Sequence, residues 1–113
     1  MNNNKDKILE LEVFNFFKKN SHIKEIEFVF FLQKNFGFSR NKSWNISKNL
    51  QKPFVCSNSS QGKFIEPMLE ITYLQDSVSF RRMVCLSKNW NDKNENDVRQ
   101  IVDNLINATV IKC

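Results

Sequence analysis

The sequence is poor in the residues on which metal sites and many catalytic sites depend. Its 113 residues include one histidine, His22, and three cysteines, Cys56, Cys85 and Cys113, which are far apart and form no C-x-x-C pair. A structural zinc site needs four clustered Cys or His ligands, so we expect neither a metal nor another cofactor. His22 follows Ser21 at what reads as a helix start, which favours a capping or surface role over catalysis.

Glycine and proline are also scarce, with two of each, and long apolar runs are missing. So few turn-forming residues argue against a turn-dense β-sandwich and against a glycine-rich phosphate-binding loop. Because no run of about 18 apolar residues occurs, we expect no membrane association. Residues 1–7 lack the apolar core of a secretory signal, and the unpaired thiols suit a reducing compartment, so we expect a cytoplasmic protein.

The carboxylates of the first half do not form the pairs that acid–base catalysis uses. Glu10 and Glu12, like Glu25 and Glu27, are two positions apart, and such residues do not face each other on a helix. We therefore expect a protein that is not an enzyme. A nuclease or another enzyme is a third reading, which metal-dependent cleavage of plasmid DNA by the pure protein would revive.

The chain does have enough apolar material for one core, and its positive charge is concentrated. Hydrophobic residues make up 41% of the sequence, including eleven phenylalanines, so residues 1–113 are expected to form a single domain. The formal net charge is +5, and residues 38–90 alone carry eight basic against three acidic side chains. A local basic excess is typical of polyanion-binding surfaces, although an ordinary solvated face can be as basic.

Apolar spacing predicts three helices in the first half of the chain. The first covers residues 6–19 and the second residues 23–35, with Gly37 as the glycine that ends it. Ser43 is expected to cap a third helix that runs to about Lys52, where the following proline stops it. The third helix and the residues before it carry a polar stripe at i, i+4, i+7 and i+11, formed by Asn41, Asn45, Lys48 and Lys52.

The second half predicts a β-hairpin and a last helix. Residues 68–74 and 78–86 read as two strands around a short polar turn, with Arg81 and Arg82 on opposite sides of the second strand. Asp92 and Glu95 resemble a capping box for a helix whose apolar stripe comprises Val98, Ile101, Val102, Leu105 and Ile106. We expect residues 92–110 to act as a packing or dimerisation helix and favour a homodimer.

This element order, three helices followed by a β-hairpin and a C-terminal helix, is that of a winged helix-turn-helix. The predicted fold class is therefore α+β and mainly helical. In that architecture the recognition helix enters the major groove and the hairpin, or wing, reaches the adjacent backbone or minor groove of double-stranded DNA. We expect Asn45, Ser47 and Lys48 to read base edges. The rest of the predicted DNA-binding set comprises Arg40, Lys42, Ser43, Asn49, Lys52, Lys63, Arg81 and Arg82.

Two stretches resemble the multiple-antibiotic-resistance regulator (MarR) family, in the style of its short phage-borne members. Residues 45–50, Asn-Ile-Ser-Lys-Asn-Leu, are similar to its recognition helix, which commonly shows Ser-Val-Ser-Arg and then an apolar position. Residues 69–87 are similar to its wing, with Asp76, the arginine pair and an apolar-x-Leu-Ser ending where the family has Leu-Thr. Four residues separate Asp76 from the arginines, and the glycine that usually follows is absent. The resemblance implies a DNA-binding transcriptional regulator.

A second function class uses the same surface differently. A winged-helix protein-interaction module, such as a phage-encoded inhibitor of a host nucleic-acid enzyme, could grip an acidic protein with its basic face. Co-purification with a host protein, without affinity for duplex DNA, would favour this alternative.

Overall fold

The fold is described by a computed structural model that covers residues 7–55, 64–75, 78–105 and 110–111. Within these residues the chain is α+β and mainly helical, and its layout is consistent with a winged helix. The elements in chain order are β1 (Lys7–Ile8), α1 (Leu9–Asn20), α2 (Glu25–Phe36), α3 (Arg40–Leu50), β2 (Phe54–Val55), β3 (Phe64–Ile65), β4 (Leu69–Gln75), β5 (Phe80–Leu86), α4 (Lys88–Asn91), α5 (Glu95–Asn104) and β6 (Val110–Ile111). None of the described helices is long and apolar enough to cross a membrane.

Phenylalanines pack α1 against α2. The rings of Phe16 and Phe31 stack with their centroids 4.0 Å apart, and Phe17 and Phe28 approach to 5.1 Å. Phe17 and Phe28 are almost wholly buried, and aromatic pairs of this kind add about 0.5–1.5 kcal/mol to the free energy gained from burial. The helical spacing of Leu9, Val13, Phe16 and Phe17 thus predicts the packing side of α1 correctly, whereas Phe30, which the same spacing placed on the apolar stripe of the second helix, is 54% exposed.

The segment between α1 and α2 ties the hairpin to the helices. Ile23 was expected to start the second helix, but it is extended and forms an isolated antiparallel bridge with Val84 of β5. The amide of Ile23 donates to the carbonyl of Val84 at 3.1 Å, and the amide of Val84 donates back at 2.7 Å. The β-branched side chain of Ile23 is buried there. Helix α2 begins only at Glu25 and ends at Phe36, capped by Gly37, whose φ of 72° suits glycine.

Helix α3 starts earlier than the sequence predicted. Ser39, not Ser43, is its N-cap, since the Ser39 Oγ accepts a hydrogen bond from the amide of Lys42 at 3.1 Å. Ser43 lies one turn inside the helix, where its hydroxyl donates to the Ser39 carbonyl at 2.9 Å. Either serine has the side-chain chemistry of an N-cap. Ser43 is buried on the inner side of α3, and this burial decides which of the two is the cap.

The predicted hairpin is present as β4 and β5, which pair antiparallel from Leu69 opposite Leu86 to Gln75 opposite Phe80. Strand β4 is shifted by one residue from its predicted bounds, and β5 starts two residues later than predicted but ends at the same residue. The base of the hairpin is buried in the core, whereas its outer half projects from it. A second, shorter ladder joins β2 to β3 in a stretch that the sequence did not predict as strand.

The C-terminal helix differs from the prediction at its start, and it packs against the core of its own chain, which is one of the two predicted alternatives. Asn94 and Asp97 form the capping box, two residues after the predicted pair: the Asn94 side chain accepts from the Asp97 amide at 2.9 Å, and the Asp97 carboxylate accepts in return at 3.1 Å. Val98 and Val102 of α5, with Leu105 after it, are buried in the same core as α1. Three residues of the apolar stripe that suggested a homodimer are thus buried within this chain, and Ile101 is partly buried. Ile106 lies outside the described residues.

Candidate nucleic-acid interface

One side of α3 is polar and exposed, as its spacing predicts. Asn41, Asn45 and Lys48 are exposed on the helix, and Lys52 is exposed in the bend that follows it. The opposite side, with Ser43, Ser47 and Leu50, is buried. The amide and basic side chains thus form a continuous strip on the outside of the molecule, where a ligand can reach them.

The structure removes two serines from the predicted DNA-binding surface. Ser43 and Ser47 are both 0% exposed, on the side of α3 that packs against the protein. The hydroxyl of Ser47 donates to a Glu25 carboxylate oxygen at 2.8 Å. The Ser47 side chain thus ties α3 to α2, whereas that of Ser43 bonds within its own helix. Ser47, which we expected to read a base edge, does not face outward.

A single carboxylate joins α3 to the hairpin. Glu25, in the first turn of α2, is 7% exposed. One of its oxygens accepts from Ser47 and, at 3.0 Å, from the amide nitrogen of Gln51, and Lys48 Nζ lies 3.3 Å from the same oxygen. Its other oxygen accepts from Arg82 Nη1 of β5, also at 3.0 Å. Four side chains, two from α3, one from the residue that follows it and one from β5, therefore converge on Glu25.

The hydrogen bonds keep Glu25 ionised despite its burial. Desolvation alone raises the pKa of a carboxyl, but the hydrogen bonds from Ser47, Gln51 and Lys48, with the charge of Lys48, outweigh it and leave the pKa of Glu25 below its ordinary value. The helix N-terminus also favours a negative charge at this position. The side chains of Lys48 and Arg82 remain 50% and 49% exposed, so both keep donors that a phosphate can reach.

The other predicted contact residues differ in their surroundings. Arg40, Lys42 and Asn49 of α3 are exposed, and the Lys42 ammonium lies 4.4 Å from the centre of the Phe38 ring. Arg81 is exposed on β5. Lys63 lies outside the described residues. The predicted basic contacts that the structure describes are thus exposed on α3, the bend after it and β5, within the segment where the sequence concentrates positive charge; further exposed basic side chains lie on α1, α2 and α5.

The outer half of the hairpin is more apolar on its surface than the sequence suggested. Cross-strand partners share a face, so Tyr73 with Arg82 and Gln75 with Phe80 lie on the same face as the buried base. On that face Tyr73 is 60% and Phe80 66% exposed. Leu74 lies on the opposite face and is also exposed. Two rings therefore flank the arginine that reaches Glu25.

A cavity of about 350 Å³ lies between the start of α1 and the end of α3. Its lining includes Glu10, Asn49, Lys52 and Phe54, and Glu10 is 1% exposed. The cavity adjoins the last turn of α3. This turn therefore has polar groups on the side that faces the cavity as well as on its exposed side.

The potential metal ligands among the described residues and the surroundings of Cys85 bear on metal binding and on the reactivity of this thiol. In the part of the chain that the structure describes, no group of three His, Cys, Asp or Glu side chains is placed to hold a metal ion. Cys85 lies with its Sγ 4.0 Å from a Glu70 carboxylate oxygen. Burial, and then the charge of Glu70, raise the pKa of the Cys85 thiol, which is opposite to the shift that activates a cysteine nucleophile.

No protein-family model, curated protein or solved structure matches the chain. We therefore infer a function from the geometry of α3, Glu25 and the β4–β5 hairpin.

Two features of this site were missed by sequence reasoning. Glu25 was considered only as the neighbour of Glu27, and no local pattern connects it to Ser47, Gln51 or Arg82, which follow much later in the chain. The exposure of Tyr73 and Phe80 was missed because aromatic side chains in a strand usually indicate a packed face. The register of β4 and β5 reveals it, since only the base of the hairpin lies against the core.

Proposed function

We propose that the chain is a winged-helix DNA-binding protein in which α3 is the recognition helix and the β4–β5 hairpin is the wing. The observation that carries the proposal is that Lys48 of the exposed stripe and Arg82 of the hairpin reach the same Glu25 carboxylate. Helix and hairpin therefore present one continuous surface, which is the arrangement that a groove and its adjacent backbone require.

The charges on this surface suit DNA. Lys48 and Arg82 are half exposed and share the one negative charge of Glu25, so these three side chains together keep a positive charge. Arg40, Lys42 and Lys52 extend the positive surface along α3 and the bend after it. Asn41 and Asn45 add amides, which pair with base edges in the major groove. The resemblance of α3 and the hairpin to MarR-type regulators makes transcriptional regulation the form of DNA binding that we propose.

Replacing Lys48 with alanine tests this proposal. We expect the variant to bind its selected duplex more weakly by about 1–3 kcal/mol and to lower the slope of log affinity against log salt by about one, because a cation that contacts DNA releases counterions. Fluorescence anisotropy at several salt concentrations measures both quantities, with a duplex first selected from random sequences. Lys19→Ala, on the last turn of α1, is the matched control and should bind as the wild type does. An unchanged affinity and slope for Lys48→Ala would remove α3 from the interface.

A second candidate is the winged-helix protein-interaction module. Several exposed apolar side chains on the hairpin favour it, because Leu74, Val78 and Phe80 are 41%, 90% and 66% exposed, and contiguous exposed apolar patches are typical of protein interaction sites. Inhibition of a host nucleic-acid enzyme by the pure chain, with no measurable affinity for duplex DNA at low salt, would support this candidate over the first.

A further inference from the structure

The outer half of the hairpin carries two exposed aromatic rings beside a cation. Tyr73 pairs across the strands with Arg82, and Phe80 is the next residue of β5 on that face. Tyr73 and Phe80 are thus diagonal neighbours, at a Cα separation of about 7–8 Å. Rings left 60% and 66% exposed gain nothing from the core, so their burial by a ligand would be favourable.

The ring face lies on the same side of the hairpin as the basic strip of α3. Arg82, between the rings, reaches Glu25, and Lys48 of α3 reaches the same carboxylate. The side chains of Lys48, Glu25 and Arg82 therefore link the α3 strip to the hairpin face that carries the rings. A ligand held along α3 meets the rings without leaving a positively charged surface.

We propose that Tyr73 and Phe80 form a stacking platform for unpaired bases, so that the protein prefers duplex DNA that adjoins a single-stranded segment. Alternating rings and cations are the combination with which proteins bind single strands, because every base has a face that stacks and every nucleotide carries a phosphate. Paired bases inside a duplex have their faces covered by their neighbours and cannot use the platform. This inference rests on the proposed function, since α3 supplies the duplex contact.

Three labelled probes test the platform: a blunt duplex, the same duplex with a short single-stranded tail, and the tail strand alone. We expect the tail to raise the affinity about tenfold, the gain from stacking one base. A 2-aminopurine in the tail should lose fluorescence on binding, since this base is quenched when it stacks. The double variant Tyr73→Leu, Phe80→Leu keeps apolar side chains of similar bulk but removes both rings, and should bring the affinity ratio close to one and abolish the quenching.

Phe30→Leu is the matched control, because Phe30 is also an exposed ring, at 54%, but lies on α2. It should keep the wild-type ratio and quenching. All three positions are exposed, so the variants should fold, and circular dichroism checks this.

The outcomes separate the two proposals. If the wild type binds blunt and tailed duplexes alike while Lys48→Ala weakens both, the platform is overturned and the proposed function stands. If the rings are needed for binding the tail strand but Lys48→Ala changes nothing, the platform stands and the duplex-reading helix is overturned. If no probe binds, both the platform and the proposed function are overturned, and contact with a protein partner becomes the explanation for the exposed rings.

Discussion

Replacing Glu25 with alanine should lower the free energy of unfolding by about 3 kcal/mol. The variant leaves the Ser47 hydroxyl, which is 0% exposed, without its acceptor, and removes one of the acceptors of the Gln51 side-chain amide, which keeps the Ser47 carbonyl at 3.2 Å. An unsatisfied buried polar group costs about 1–3 kcal/mol. The loss stays below the upper range for broken buried ion pairs because Lys48 and Arg82 are half exposed and can be solvated. Urea unfolding followed by tryptophan fluorescence measures it.

Glu12→Ala is the control for Glu25→Ala, because Glu12 is a partly exposed glutamate on α1. We expect it to change the free energy of unfolding by less than about 0.5 kcal/mol. Equal effects of the two substitutions would show that the Glu25 contacts contribute nothing specific.

The dependence of stability on pH identifies the charge of Glu25 as the cause. Since the pKa of Glu25 is lowered in the folded protein, its ionised form stabilises the fold above the pKa of an unfolded glutamate, at about 4.3. That stabilisation is lost as the pH falls through the lower folded pKa. Glu25→Gln should therefore show a shallower loss of stability between about pH 5 and pH 3 than the wild type. Parallel acid curves would assign the effect to hydrogen bonding and not to charge.

Replacing Trp90 with alanine should destabilise the protein by about 3–5 kcal/mol, the range for truncating a buried tryptophan or phenylalanine. Trp90 is 0% exposed, its ring lies 5.6 Å from that of Phe54, and its indole N–H donates to the carbonyl of Glu66 at 2.8 Å. It thus fixes the base of the hairpin to the core from α4.

Trp44→Ala supplies the comparison, because the chain has one further tryptophan and it is partly exposed on α3. Trp44→Ala should lower the free energy of unfolding by about 1 kcal/mol, because less apolar surface is buried at Trp44 than at Trp90. Thermal unfolding by circular dichroism compares the two variants. A cost for Trp44→Ala equal to that of Trp90→Ala would contradict the packing described for α4.

Local patterns predicted most of the elements, because they depend on neighbours in the chain. The helical spacing of Phe16 and Phe17 and the glycine after α2 needed no distant information. Ile23 was placed in a helix because its apolar spacing continues that of α2, whereas its bridge to Val84 depends on a strand far along the chain. The same limit applies to the cap of α3, where Ser39 and Ser43 are equally suitable until burial is known.

The candidate site was predicted in part for the same reason. The exposed side of α3 follows from helix geometry, so Asn41, Asn45 and Lys48 were placed correctly on one strip. The role of Ser47 was wrong because Glu25, its acceptor, is contributed by another helix. Long-range hydrogen bonds of this kind leave no periodic trace in a sequence.

The most direct test of the central claim, that α3 and the hairpin together bind DNA, is a map of the binding surface. Backbone amide shifts of the ¹⁵N-labelled protein, recorded by NMR during titration with its selected duplex, supply that map. We predict that the largest shifts fall on residues 40–52 and on β4 and β5, while α1 and α5 change little. Saturation with shifts centred on α1 or α5, or no shifts at low salt, would contradict the account.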